Sequence, residues 1–131
     1  LEEFIFPYQR QIGALFGLNC YGCCEVNDKK WELAMEYIPN LRELSVSPFS
    51  DFKTAVEKIE DKYVFCWKPN PSEMLATFDV NHIKNEMKKG MEMAKDCHLV
   101  VVLREIQTTY QNPQRLDAWV DITMELAEQY A

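Results

Sequence analysis

Residues 41–71 read LRELSVSPFSDFKTAVEKIEDKYVFCWKPNP. Leu41 to Val46 is a short β-rich run, and Ser47-Pro48-Phe49-Ser50 is a loop. Ser50 is expected to cap a helix that turns Phe52, Ala55, Val56 and Ile59 inward. Tyr63 to Trp67 is a second short apolar run, and Lys68-Pro69-Asn70-Pro71 must leave the sheet, because two prolines remove ladder donors. Strand, helix, strand in so short a stretch is the pattern of parallel βα units.

The pattern extends in both directions. Glu3 to Phe16 carries Phe4, Ile5, Tyr8, Ile12, Leu15 and Phe16 at helical spacing, with Gly17 as a stop, and Leu18 to Cys24 reads as a strand. Asn27 stands where a cap is wanted before Trp31, Ala34, Met35 and Ile38, and Pro39-Asn40 closes that helix. Downstream, Ile83, Met87, Met91 and Ala94 share one helical face. His98 to Leu103, nearly all apolar, reads as a strand buried on both sides, and a last helix opens at Asn112-Pro113 and buries Leu116, Trp119, Val120 and Leu126. Four parallel βα units predict an α/β fold with no internal boundary across residues 1–131. A closed TIM (β/α)8 barrel takes eight strands and about 250 residues, so the expectation is half of such a barrel. An open four-stranded sheet leaves two edges and one face uncovered. Pairing with another copy, or with a missing amino-terminal half, is therefore expected.

Composition narrows the class. The chain has 47% apolar residues and a formal charge of −7, which suits a globular core and lacks the clustered bases that nucleic acid or an anionic membrane surface needs. The longest apolar run, Leu99 to Leu103, is far too short to span a bilayer. From the start at Leu1-Glu2-Glu3, with no basic region before an apolar stretch, no signal peptide is expected. Five cysteines, two of them adjacent, fit reduced intracellular thiols better than a disulfide framework, and a cytoplasmic location is expected.

In βα folds, functional groups collect at the carboxyl ends of the strands. Those ends should carry Cys23, Cys24 and Glu25 after the first strand, Ser45 and Ser47 after the second, Cys66 and Lys68 after the third, and Glu105 and Gln107 after the fourth. Thiolates and a carboxylate are zinc ligands, and a catalytic zinc takes about three of them. The same cysteines also read as small buried hydrophobes, and Cys20 to Cys23 has the spacing of a redox pair. Lys68 reads either as a Schiff-base nucleophile or as an anion-binding lysine. Glu105 reads as a general acid or base, or as an ion-pair partner of Arg104 or Lys68. Cys97 and His98 precede the fourth strand, at the far end of the sheet, and His82 sits among polar neighbours on a helix.

Tyr21-Gly22-Cys23-Cys24-Glu25, Ile38-Pro39-Asn40-Leu41-Arg42, Ser45-Val46-Ser47-Pro48, Tyr63-Val64-Phe65, Trp67-Lys68-Pro69-Asn70-Pro71 and Asn112-Pro113-Gln114-Arg115-Leu116 together resemble the carboxyl-terminal half of the uroporphyrinogen decarboxylase-like superfamily. That group of TIM barrels includes uroporphyrinogen decarboxylase, cobalamin-independent methionine synthase and methyltransferases that work with corrinoid proteins and thiols. The resemblance implies a methyltransferase-type site that activates a thiol with zinc, with ligands from a His-x-Cys pair and a last-strand Cys. Here Tyr21 stands in place of that His, and Arg104-Glu105-Ile106 holds no Cys. The implied metal residues are then Cys23, Cys24 and Glu25, with Glu105 as the alternative further ligand. Lys68 and Glu105 are the catalytic candidates, Ser47, Trp67 and Asn70 the substrate contacts, and a corrinoid protein the macromolecular partner. Two other readings stand beside it: a metal-independent decarboxylase or lyase, and a non-catalytic half-barrel assembly unit.

Overall fold

Short β-rich runs alternating with capped helical stretches fold here as an α/β unit. The computed structural model describes residues 1–130, in the order α1 (Phe6–Gly13), β1 (Asn19–Tyr21), α2 (Trp31–Tyr37), β2 (Leu41–Val46), α3 (Phe52–Ile59), β3 (Val64–Trp67), α4 (Pro71–Leu75), α5 (Val80–Met93), β4 (His98–Val101) and α6 (Gln114–Gln129). Side chains of Asp51, Asn70 and Asp79 start α3, α4 and α5 by accepting backbone N–H groups of Thr54, Ser72 and Asn81, donors that a first turn leaves free. The α3 cap is thus Asp51, one residue beyond the expected Ser50.

The strands form one sheet in the order β1-β2-β3-β4, and every pairing is parallel. In sequential order, parallel crossovers of one hand carry the helices to one face, and the side chains agree. Leu44, Val46, Phe65 and Trp67 are buried in a core with Phe6, Trp31, Ile59, Ile83, Met87 and Trp119 from the helices. Register places Cys20 beside Glu43, Ser45 beside Cys66, and Cys66 beside Val100; by strand alternation these face the other way. The sheet therefore has a helix-covered face and a face without helices.

That one-sidedness corrects the expectation for the fourth strand. β4 stops at Val101 and alternates in burial, with His98 and Val100 exposed, rather than being buried on both faces. An apolar run signals a strand without saying which face is covered.

The first helix differs as well. α1 is shorter than expected and buries Phe6 against Tyr21 and Tyr37. The expected inward stripe is exposed, with Phe4 77%, Tyr8 63% and Leu15 81% accessible. In α6, Trp119, Ile122 and Leu126 are buried, whereas Val120 is exposed. The long helical stretch after Pro71 is two helices, because Asp79 caps a fresh start at Val80.

Candidate functional site

β1 ends at Tyr21, where Gly22 adopts φ 93°. That conformation suits glycine, and a Cβ there would meet Asn27 Nδ2 at 2.6 Å and Ser45 Cβ at 3.0 Å. The chain turns out of the sheet, so Cys23, Cys24 and Glu25 lie in a loop beyond β1 rather than in the expected strand. Gly22→Ala combines backbone strain with a clash against buried Asn27. We expect a loss of about 2 kcal/mol in unfolding free energy, checked by denaturant titration.

The loop is pinned through one backbone atom. The Cys23 carbonyl accepts from Ser45 Oγ at 3.0 Å and from Lys68 Nζ. Both donors are almost fully buried, Lys68 at 4% exposure. Lys68 thus serves as an internal clamp joining the ends of β1 and β3, with its nitrogen on a backbone carbonyl. Asn27, wholly buried, donates to the Glu25 carbonyl at 3.2 Å while its own carbonyl accepts from Lys30 and Trp31 at the start of α2.

Within the loop, Cys23 Sγ and Cys24 Sγ lie 3.4 Å apart. The Cys24 thiol is pushed up to about 11, first by hydrogen bonding to the Glu105 carboxylate and then by its contact with Cys23. Glu105 comes from beyond β4, so the loops after the two outermost strands meet here. Its backbone has φ 61°, a left-handed conformation that costs a non-glycine residue of order 1 kcal/mol and persists where surroundings enforce it. Among the described residues Glu105 forms no ion pair, with Arg104 and Lys68 included. Glu25 turns back to accept from the Cys23 N–H at 3.2 Å. Its own backbone N–H, that of Cys23 and the nearby Lys30 and Lys68 charges hold its carboxyl below the usual range.

A cavity of about 300 Å³ opens at the same end of the sheet, lined by the loops after β2, β3 and β4; among its walls are Phe49, Asn70, Glu105, Gln107, Thr108 and Tyr110. Glu105 is the one charged side chain in that wall. Asn70 lines it while bonding Ser72 and Glu73. Ser47 is buried, and its Oγ accepts from the Phe49 N–H at 3.3 Å, shaping the turn. Trp67 belongs to the helix-covered core, its ring at 5.3 Å from Phe52 and against Gly90.

A second thiol–carboxylate group escaped the reading of the sequence. Glu43 on β2 lies beside Cys20 in register and near Cys66 on the face without helices, and its carboxylate helps to raise both thiols. Burial first, and then Glu43, pushes Cys66 up to about 11. The clue was period-two alternation, which sets Glu43 opposite the apolar Leu44 and Val46.

A catalytic zinc takes about three protein ligands, and among the described residues no three His, Cys, Asp or Glu side chains come together to hold an ion. Glu25 is engaged with the Cys23 backbone N–H. No helix among the described residues is long and apolar enough to cross a membrane. Compared with protein-family models, curated proteins and solved structures, the chain matches none, so the chemistry of the rim rests on its own residues.

Proposed function

We propose that this chain is half of a TIM-type barrel of the uroporphyrinogen decarboxylase-like kind, with a methyltransferase-type rim that activates the thiol of a small-molecule substrate. The observation that carries the reading is Glu105, whose carboxylate holds the Cys24 thiol in its protonated form and also lines the cavity. A carboxylate at that position is a general base at the mouth of a pocket, the end of the sheet where βα folds bind ligands. The cavity wall has no cation, which favours a neutral or cationic substrate over a polycarboxylate and ranks the decarboxylase reading second.

The step follows from Glu105. A substrate thiol entering the cavity takes the place of Cys24 as its hydrogen-bond donor. Glu105 accepts the proton, the sulfur bonds to an electrophilic methyl carbon, and the bond from that carbon to its leaving group breaks with the electron pair on the leaving group. The resemblance suggests a methylcorrinoid as donor, delivered by a corrinoid protein. No step here runs through a metal; zinc per chain, measured by elemental mass spectrometry, decides whether the expected ion joins Cys23 and Cys24.

Glu105→Gln is the test. Loss of a general base costs about 10²-fold or more, so methylation of a small alkyl thiol by methylcorrinoid should fall by that factor. The Cys24 thiol should meanwhile become more reactive. Its rise from 9.0 to about 11 makes the thiolate about 100-fold scarcer below that range, and removing the carboxylate returns part of it. Cys24 alkylation, mapped by mass spectrometry, is expected to quicken about tenfold. No methyl transfer by the wild-type chain, with an unchanged Cys24 rate in the variant, overturns the reading.

A further inference from the structure

The two free edges of the sheet differ and complement each other. At the β1 edge, residues 4–18 carry Phe4, Ile5, Tyr8, Ile12, Leu15, Phe16 and Leu18, all exposed, and Arg10 is the one charge in that stretch of an otherwise acidic chain. An apolar band of this size is unusual on a monomer's surface. At the β4 edge, an apolar cavity of about 350 Å³ opens between α5, α6 and the strand, with Leu99, Val101, Met124 and Ala127 in its wall. The last three turns of α6 beside it carry Asp121, Glu125 and Glu128 and no base; Glu125 is paired with Lys84 at 3.4 Å and Lys95 stands in the cavity wall, which leaves Asp121 and Glu128 as the acidic groups for an incoming cation.

We propose that the occupant is a second copy of this chain, joined head to tail at both edges. The α1 stripe of each copy enters the cavity under α6 of the other, with Arg10 toward the acidic turns, and the β1 edge of each runs beside the partner's β4 edge. Two sheets of four parallel strands make eight, the number at which a parallel βα sheet closes on itself. Closure covers both unpaired edges and turns the faces without helices toward each other, so that Glu43, Cys66 and Lys68 look into an interior. A head-to-tail contact that closes gives a ring of fixed size, whereas one that does not gives open filaments. The inference rests on the half-barrel reading, but its test reads mass and leaves the thiol chemistry to the Glu105 variant.

Light scattering on the intact chain, coupled to size-exclusion at micromolar and near-millimolar concentration, is expected to give twice the 15.4 kDa of one chain. Ile12→Glu and Met124→Glu alter side chains that are 61% and 55% exposed, so each should fold, with far-ultraviolet circular dichroism as the check and Leu15→Glu as a second α1 variant. Each alone is expected to give monomer. A mixture of Ile12→Glu with Met124→Glu should regain dimer, because one of its two seams is then wholly wild type. A monomeric wild-type chain, a larger assembly, or a dimer that survives Met124→Glu overturns the proposal; the last would indicate α1 packed on α1.

Discussion

Gly90→Ala is expected to lower the unfolding free energy by about 2 kcal/mol and the melting temperature by several degrees. Two effects of opposite sign compete. In a helix interior, alanine is favoured over glycine by about 1 kcal/mol, which taken alone would stabilise α5. Against it, a Cβ at Gly90 would meet three ring carbons of Trp67 at 2.3, 2.6 and 2.8 Å. Those atoms belong to a rigid indole that is 8% exposed and wedged beside Phe52, so the ring cannot swing aside. Overpacking of this kind costs about 1–3 kcal/mol and occasionally more, and contacts this short place it at the upper end. The clash wins. Gly17→Ala is the control, since nothing lies within 4 Å of its added methyl, and it should be neutral or slightly stabilising. A Gly90→Ala chain that melts with or above wild type would mean that α5 lies farther from β3.

The second large effect separates stability from geometry. Lys68→Met removes a buried ammonium whose one hydrogen-bond partner is the Cys23 carbonyl. Losing a charged hydrogen bond costs about 1.5–3 kcal/mol, but the desolvation of that charge is returned at the same time. The net change in unfolding free energy is expected within about 1 kcal/mol. The rim should change far more. With half of its pin gone, the loop of Cys23 to Glu25 drifts from Glu105, and the Cys24 thiol falls back toward its ordinary 9.0 from about 11. Cys24 alkylation below that range should then quicken by up to about 100-fold while the melting curve barely moves. An unchanged alkylation rate would mean that Ser45 alone holds the loop.

The parallel α/β character was legible because it rests on local signals. The run of Leu41 to Val46 and the stripe of Phe52, Ala55 and Ile59 each point to one kind of element, and tertiary contacts did not override them. The edges were less legible. The stripe of Phe4, Tyr8, Ile12 and Leu15 has helical spacing, yet spacing says nothing about whether the surface that receives it belongs to the same chain. β1 was read too long, as far as Cys24, because an apolar run does not show that Gly22 takes a positive φ, which ends the strand at Tyr21. For the site, strand-end logic brought Cys23, Cys24, Lys68 and Glu105 to one rim. What it could not supply was pairing. That Glu105 meets Cys24 across the mouth depends on two loop conformations, one of them left-handed, and that Lys68 reaches a backbone oxygen is invisible in a list of side chains.

The clamp on the carbonyl of residue 23 has one more consequence. Because Ser45 and Lys68 grip the main chain there, the loop keeps its course whichever side chain that residue carries. Position 23 is therefore a display position: its sulfur can be exchanged for an imidazole, a carboxylate or a hydroxyl while the scaffold beneath stays as it is. A rim of this design lets lineage or engineer vary the reactive group without renegotiating the fold.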